Sequence, residues 1–261
     1  MIARLAQLAN DCYHVVRGPG PAKASVLKNL LLPGHRKMGF RVEHFERGAT
    51  SSLFREIFVR QYYHFVAQTA SPTILDCGAN VGMASIYFKW LYPKSKVQAF
   101  EPDPMTFNML QRNLRVNRLD VKTHNCALWN ENGELDFHVD ASHPGSVLMS
   151  AASPMYLEKA DVVKVPARKL SDFINGPVDF LKLDVEGAEH RVLDDLVQTG
   201  TIKQVRQMVV EYHHRYGQQK SRLANFLMKL EVSGFEYQIH ASRFPIATQG
   251  VLQAMIISAN Q

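Results

Sequence analysis

Apolar and polar residues change their pattern along the chain at about residue 73. From there on, short apolar runs typical of buried strands alternate with stretches of helical periodicity. The predicted strands cover residues 73–77, 96–101, 121–127, 178–184, 207–211, 235–240 and 251–258, and the predicted helices cover residues 82–92, 104–117, 188–198 and 219–232. Strands that alternate with helices form βαβ units and a mainly parallel sheet. Because no helix separates the last two strands, we expect an α/β fold with a doubly wound, mostly parallel seven-stranded sheet and a terminal antiparallel hairpin.

Residues 1–72 carry a different pattern, which predicts a mostly helical accessory segment. Apolar residues at helical spacing mark an amphipathic helix over residues 2–16. A second helix is expected to begin at Ser51 or Ser52 and to run to about Thr69. The first helix is expected to pack on the body of the protein, with a lid over the substrate or a homodimer contact as alternatives.

The domain that follows, residues 73–261, contains an interruption over residues 130–170. Strand-like runs at 134–139 and 162–165 predict a hairpin and a further strand within this insertion. The regular alternation of strands and helices resumes at residue 178.

Composition narrows the class of protein further. Hydrophobic residues make up 46% of the 261 residues and charged residues 21%, values that exclude a disordered chain. The net charge of +6 is spread along the chain and permits an anionic partner without requiring one. The 3 cysteines are odd in number and form no C-x-x-C pair, so neither a disulfide framework nor a cysteine zinc site is expected. Since no apolar run of about 18 residues and no signal-peptide pattern occur, we expect no membrane span and a cytoplasmic location.

The turn after the first strand of this domain has the pattern of a cofactor loop. Asp76 lies in the strand, and Gly78 and Gly82 follow with the spacing G-x-x-x-G, which allows a tight turn and close helix packing. Glu101 ends the second strand, where a carboxylate can accept hydrogen bonds from both hydroxyls of a ribose. These residues predict an adenosine-containing cofactor. The spacing differs from the G-x-G-x-x-G of dinucleotide sites, and Asp76 would repel a pyrophosphate but attract the ammonium group of S-adenosylmethionine.

Four short motifs stand in order along the chain. They are I-L-D-C-G-A-N-V-G at 74–82, F-E-P-D-P at 100–104, L-K-L-D-V-E-G-A-E at 181–189 and V-E-Y-H at 210–213. Together they resemble the FkbM-type S-adenosylmethionine-dependent methyltransferases, over about residues 54–240. This resemblance implies a Rossmann-like class I methyltransferase fold. It also implies methyl transfer to an oxygen, usually a hydroxyl of a small molecule, a sugar or glycan, a lipid or a polyketide-like product.

The resemblance also implies which residues bind the cofactor. Residues of the first turn would line its methionine end, Glu101 would hold the ribose, and residues after the second and third strands would border the adenine. By position in this sequence, the implied set is Asp76, Gly78, Ala79, Asn80, Gly82, Glu101, Pro102, Asp103, Asn125, Cys126, Ala127 and Asp184.

Polar residues at the ends of the fourth and fifth strands are the catalytic candidates. Lys182 lies in a strand expected to be buried on both faces, so a carboxylate is expected beside it, with Asp184 and Glu211 as the closest candidates. Methyl transfer to an alcohol benefits from a base. The order of preference for this base is His213, then Asp184, then Glu186. The alternative is a buried ion pair that only holds the strand ends together.

Other sites and functions are less well supported by the sequence. Tandem histidines at 213–214 with acids nearby allow a divalent metal, but no spaced ligand pair such as H-x-x-x-H occurs, so no metal is expected. A nucleic-acid methyltransferase suits the positive charge, yet the acidic mouth of the site would repel phosphates, and no nucleic-acid partner is expected. A nicotinamide-dependent oxidoreductase conflicts with the glycine spacing. A non-catalytic cofactor-binding scaffold conflicts with the polar residues at 184, 186, 211 and 213.

Overall fold

One large sheet with helices on both faces dominates the structure, and smaller sheets lie beside it. The computed structural model describes residues 13–16, 23–27, 31–32, 36–37, 39–45, 47–139, 161–214, 222–241 and 253–261. The strands are β1 (Tyr13–Val16), β2 (Lys23–Leu27), β3 (Leu31–Leu32), β4 (Arg36–Lys37), β5 (Arg41–His44), β6 (Thr73–Cys77), β7 (Lys96–Phe100), β8 (Val121–His124), β9 (Ala127–Trp129), β10 (Gly133–Val139), β11 (Asp161–Lys169), β12 (Phe180–Leu183), β13 (Gln207–His214), β14 (Glu236–Ala241) and β15 (Gln253–Asn260). The α-helices are α1 (Arg47–Phe54), α2 (Met83–Leu91), α3 (Pro104–Val116), α4 (Glu189–Gln198) and α5 (Leu223–Val232). A π-helical turn covers Arg55–Val59, and short 3-10 helices cover Leu170–Phe173 and Thr201–Gln204.

The main sheet has seven strands in the order β14-β15-β13-β12-β6-β7-β8. The five strands from β13 to β8 in this order are parallel. Strand β15 is antiparallel to both of its neighbours, β13 and β14. The predicted fold class is therefore confirmed, including the antiparallel strand contributed by the last pair.

Side chains of the central strands alternate between two hydrophobic cores, one on each face of the sheet. Leu75 and Leu181 belong to a core that also contains buried residues of α4 and α5. Ile74 and Phe180 belong to the core on the opposite face, which contains buried residues of α2. This alternation follows from the two-residue period of a strand, and it gives the doubly wound arrangement.

A smaller sheet forms within the predicted insertion. Strand β10 pairs antiparallel with β11, and β11 pairs parallel with β9. The strand predicted over 162–165 is confirmed as part of β11, whereas the hairpin predicted over 134–139 is a single strand, β10, whose partner is β11. The strand predicted over 121–127 is divided into β8 and β9, which belong to different sheets. Asn125 lies at this break, and its side-chain Nδ2 donates to the backbone oxygens of Glu101 (2.8 Å) and Pro102 (2.9 Å). These hydrogen bonds turn the chain away from the main sheet and towards the end of β7.

The N-terminal segment differs from the prediction of a mostly helical extension. Strands β1, β2 and β5 form an antiparallel sheet, and β1 covers the end of the helix predicted over residues 2–16. The rest of that predicted helix lies outside the described residues. The sequence Y-H-V-V of β1 contains an aromatic and two β-branched residues, which favour a strand when a partner strand is present. The predicted roles of this segment, as a lid or as a dimer contact, stay predictions.

The second predicted helix begins earlier and ends earlier than expected. Helix α1 starts at Arg47, and the π-helical turn that follows it ends before Gln61. Gln61 has a φ of 57°, a left-handed conformation that a right-handed helix does not continue through. Beyond it, the Phe65 ring stacks on Phe180 of β12 with 4.2 Å between ring centroids. One hydrophobic core therefore crosses the predicted division at residue 72, and the division itself stays a prediction.

The helices of the described residues are short. The longest is α3, with 13 residues, and among the described residues none is both long and apolar enough to cross a membrane.

Candidate functional site

A cleft opens at the carboxyl ends of the central parallel strands. Its empty volume is about 870 Å³, counting the part that is open to solvent. Among the predicted cofactor-binding residues, those that line it are Gly78, Ala79, Asn80, Glu101, Pro102, Cys126, Ala127 and Asp184. Ligands of open α/β sheets bind at this edge, where loops from neighbouring strands separate. The structure thus brings most of the predicted residues together in one concave site.

Gly78 allows the turns after β6 and β12 to touch each other. Its φ is 80°, and a Cβ atom at this position would lie 1.7 Å from the backbone oxygen of Asp184. The backbone N–H groups of Gly78 and Ala79 both donate to the backbone oxygen of Phe100, over 3.0 Å and 2.8 Å. No larger residue fits here without moving the backbone. The close approach of the loops that follow β6, β7 and β12 therefore requires glycine at this position.

Glu101 is anchored between two backbone donors at the bottom of the cleft. Its Oε2 accepts from Asn80 N over 2.9 Å, and its Oε1 accepts from Asp103 N over 3.0 Å. Burial raises the pKa of Glu101 to about 8, against the opposing effect of these two hydrogen bonds. Because a carboxylate oxygen can accept more than one hydrogen bond, Glu101 can still receive the hydroxyl groups of a bound ribose.

Three other predicted cofactor-binding residues shape the loops and do not line the cleft. Asp103 caps α3, where its Oδ2 accepts from the backbone N (2.7 Å) and Oγ1 (2.6 Å) of Thr106. Asn125 binds the backbone after β7, as described above. Gly82 precedes α2 with a φ of 90°, and a Cβ there would lie 2.7 Å from Cδ1 of Leu110. The close packing expected at Gly82 is therefore made against α3.

Asp76 is paired inside the protein and does not line the cleft, so the expected contact with the ammonium group of the cofactor is not supported. Its side chain is fully buried beneath α2. Ser85 of α2 donates its hydroxyl to Asp76 Oδ2 over 2.6 Å, and Lys182 Nζ lies 3.4 Å from Oδ1. The reason is the strand period, which directs Asp76 to the same face as Ile74 and towards α2.

Lys182 is the centre of a buried group of charges. Only 3% of its side chain is exposed, and its Nζ lies 3.4 Å from Asp76 and 3.1 Å from Asp184 Oδ2. The same ammonium donates to the backbone oxygen of Gly78 over 2.6 Å. Burial acts to lower the pKa of Lys182, but the charges of Asp184 and Asp76 outweigh it and raise this pKa. A carboxylate beside the buried lysine was predicted, and Asp184 fills that position.

The other acidic candidates surround this group. Asp184 and Glu186 line the cleft, whereas Glu211 of β13 is not among the lining residues. Burial and the Asp184 charge raise the pKa of Glu211 to about 7. Glu186 has a φ of 51°, which is uncommon for a residue other than glycine and is often associated with functional sites.

His213 is held between two glutamates and does not line the cleft. Its Nδ1 lies 2.8 Å from Glu189 Oε1, and its Nε2 lies 3.2 Å from Glu186 Oε2. Burial acts to lower the pKa of His213, but the charges of Glu186 and Glu189 outweigh it and raise this pKa well above its usual value. An imidazolium, which carries a proton on each ring nitrogen, has no lone pair with which to accept another. The expectation that His213 is the first choice of base is therefore not supported by its surroundings.

The donor atoms of three residues lie close enough together to hold a metal ion. Asp184, Glu186 and His213 each offer one such atom, all within 4.8 Å of one another. Asp184 is already paired with Lys182, and Glu186 and His213 contact each other. These partners account for the cluster, and no residue is assigned as a metal ligand.

Some residues of the site could not be recognised from the sequence pattern. Leu53, Ile57 and Tyr63 of the N-terminal segment line the cleft together with the motif residues. Glu189 ends the motif at 181–189, but nothing in that motif predicts its contact with His213. No spacing or charge pattern distinguishes Tyr63 from the aromatic residues of the hydrophobic core.

The fold and the cleft define an α/β protein with a ligand site at the carboxyl ends of its parallel strands, and comparison with known proteins identifies its family. Residues 76–237, more than half of the chain, match the methyltransferase FkbM domain. The chain therefore belongs to the FkbM methyltransferase family, and S-adenosylmethionine is its methyl donor.

Individual relatives are similar at moderate identity. Methyltransferase 1 of Beauveria bassiana is 32% identical over 164 residues, which cover 55% of this chain and 66% of that protein. The 31-O-demethyl-FK506 methyltransferase FkbM of Streptomyces tacrolimicus is 29% identical over 224 residues, which cover 73% of this chain and 83% of that protein. A crystal structure of methyltransferase FkbM from Methylobacillus flagellatus KT has 16% identity and a TM-score of 0.48, over 74% of this chain and 45% of that chain.

The surroundings of His213 and His190 predict opposite charge states for the two histidines at pH 7. We expect His213 to carry protons on both ring nitrogens because of Glu186 and Glu189. We expect His190, whose pKa burial lowers and whose Nε2 lies 2.9 Å from the Tyr212 hydroxyl, to be neutral. Ring nitrogen chemical shifts of 15N-labelled protein measure both states in one sample. A neutral His213 at pH 7 would contradict this assignment and restore His213 as a base.

Proposed function

We propose that this protein transfers a methyl group from S-adenosylmethionine to a hydroxyl oxygen. The proposed acceptors are a small molecule, a sugar or glycan, a lipid or a polyketide-like product. The observation that carries the proposal is that the ion-paired carboxylate Asp184 lines the same cleft as Glu101, the proposed ribose ligand. The name of the relative from Streptomyces tacrolimicus, a 31-O-demethyl-FK506 methyltransferase, supports transfer to oxygen.

The residues of the cleft suit the proposed cofactor. The absence of a side chain at Gly78 keeps the turn open, Glu101 offers carboxylate oxygens to the ribose hydroxyls, and Cys126 and Ala127 offer a small apolar wall to the adenine. Asp184 adds negative charge, which attracts the cationic methionine end. When bound, S-adenosylmethionine supplies a methyl group on a positively charged sulfur.

The chain's own task is to position the acceptor and to receive its proton. Asp184 is the proposed base, because it lines the cleft, whereas His213 does not line it and contacts a carboxylate through each ring nitrogen. Asp184 would receive the hydroxyl proton of the acceptor, and the bound cofactor would supply the methyl group and leave as a neutral thioether. Alignment of the two reactants contributes most of the rate, and the base adds about 10²–10⁴-fold.

The charge of the cleft favours an uncharged acceptor over a nucleic acid. Asp184 and Glu186 line it, and Glu189 and Glu211 lie close behind them. A phosphate backbone would meet repulsion there, since nucleic-acid sites are rich in lysine and arginine. A screen should therefore begin with neutral sugars, glycosides and apolar alcohols, with RNA and sugar phosphates as comparison acceptors, and should detect S-adenosylhomocysteine as the product.

The first prediction of the proposal concerns the cofactor and Glu101. Because ribose hydroxyls donate to a carboxylate more strongly than to a carboxyl group, S-adenosylhomocysteine should bind more tightly as Glu101 ionises near its pKa of about 8. Isothermal titration calorimetry should show an affinity that rises about three- to tenfold from about pH 7 to pH 9 in the wild type. The rise should be smaller in Glu101→Gln, while Glu134→Gln, an exposed control, should follow the wild type. Equal pH profiles in wild type and Glu101→Gln would remove Glu101 from the ribose site.

The second prediction concerns the base. With an acceptor found in the screen, Asp184→Asn should lower turnover by about 10²–10⁴-fold, because the amide cannot take the proton. Asp179→Asn is the matched control. Asp179 is also an ion-paired aspartate, with its Oδ1 2.9 Å from Arg206 Nη1, but it precedes β12 and so lies at the opposite end of that strand from the cleft. Its turnover should stay close to the wild-type value. Full activity of Asp184→Asn would show that Asp184 is not the base.

A further inference from the structure

Tyr63 lies outside residues 76–237, which match the family, yet its hydroxyl lies between the carboxylates of Asp184 and Glu211. It precedes β6, lines the cleft and is 5% exposed. Its hydroxyl lies 3.4 Å from Asp184 Oδ2 and 3.3 Å from Glu211 Oε2. It therefore lies between two acidic residues from neighbouring parts of the sheet, Asp184 after β12 and Glu211 in β13.

The chain on both sides of Tyr63 is anchored. Before it, Gln61 adopts a left-handed conformation, and His64 N donates to Gln61 O over 3.0 Å, which closes a tight turn. After it, Phe65 stacks on Phe180, and Gln207 Nε2 donates to the backbone oxygen of Val66 over 2.8 Å. These contacts hold the Tyr63 ring in one position against the sheet.

The charges around Tyr63 keep its hydroxyl a hydrogen-bond donor. Burial and the nearby Asp184 and Glu211 raise the pKa of Tyr63 well above its usual value, so the phenol stays protonated. Lys182 Nζ lies 5.3 Å from the centre of the Tyr63 ring, within the range of a cation–π contact. Both Lys182 and Tyr63 contact Oδ2 of Asp184, which leaves Oδ1 available for an acceptor hydroxyl.

We propose that Tyr63 is a positioning residue for the catalytic carboxylate: its single hydroxyl proton, shared between Asp184 Oδ2 and Glu211 Oε2, holds Asp184 beside Lys182. The segment before the family domain is then a part of the active site. This inference rests on the proposed function, in which Asp184 receives the acceptor proton.

Replacing Tyr63 with phenylalanine removes the bridging hydroxyl and keeps the ring. A donor stabilises the charged form of a carboxylate, so its loss should raise the pKa of Glu211 further and should change the carboxyl 13C chemical shift of Asp184. The measurement is a pH titration of the side-chain carboxyl 13C resonances, assigned with Asp184→Asn and Glu211→Gln. The other charged groups that face these carboxylates, namely Asp76, Lys182, Glu56, Glu186 and His213, are the same in both proteins.

The neighbouring residue provides a matched control. Tyr62 is half-buried, and its hydroxyl accepts from Arg60 Nη1 over 3.0 Å. Tyr62→Phe should leave the Glu211 titration and the Asp184 carboxyl chemical shift unchanged. Calorimetry with S-adenosylhomocysteine should give wild-type affinity in both variants, which also shows that Tyr63→Phe is folded.

The outcomes separate this inference from the proposed function. Carboxyl titrations in Tyr63→Phe that match the wild type, or that shift equally in Tyr62→Phe, would overturn the positioning role. Loss of S-adenosylhomocysteine binding in Tyr63→Phe alone would also overturn it, since Tyr63 would then support the cofactor site. Failure of the wild type to bind S-adenosylhomocysteine would refute the proposed function, whatever the titrations give.

Discussion

A single buried ammonium group connects the parts of this structure that form the cleft. Lys182 pairs with Asp76 on β6 and with Asp184 after β12, and it donates to the backbone oxygen of Gly78. A buried charge is tolerated only when its neighbours replace the water it has lost. The three partners do this, and they come from the two strands whose ends define the cleft. The position of Asp184 in the cleft is therefore a consequence of the requirement to neutralise Lys182.

Further contacts of acidic side chains surround Lys182 and connect the turn after β12 to β13. His213, between Glu186 and Glu189, links the turn after β12 to β13, as Tyr63 links Asp184 to Glu211. Acidic side chains outnumber the lysine and the histidine, so the site as a whole attracts cations. A positively charged methyl donor suits such a site, because it brings charge of the opposite sign to carboxylates that have already been desolvated.

The sequence predicted the central sheet well and the chemistry around it only in part. Thr73–Cys77 was predicted to the residue, because an apolar run between turn residues has few alternatives to a buried strand. Helical spacing over residues 2–16 failed at Tyr13–Val16, where pairing with β2 outweighs periodicity. The partners of Asp76 and His213 could not be predicted, since Ser85, Glu186 and Glu189 reach them only through the packing of α2 and α4 on the sheet. Tyr63 contributes to the site through contacts with Asp184 and Glu211, which are distant in the sequence, so hydrophobic periodicity and local spacing do not predict them.

The most direct test of this account is to remove the charge at Lys182. Lys182→Met keeps an unbranched side chain that lacks only the terminal nitrogen position, and it leaves Asp76 and Asp184 without their ammonium partner. Denaturant unfolding should give a free energy of unfolding lower by about 3–5 kcal/mol, and calorimetry should show that S-adenosylhomocysteine binding is lost. Lys89→Met is the control, because Lys89 is also buried but donates to the backbone oxygen of Ser95, over 2.8 Å. It should bind the ligand as the wild type does. A Lys182→Met protein with wild-type stability and affinity would contradict the account.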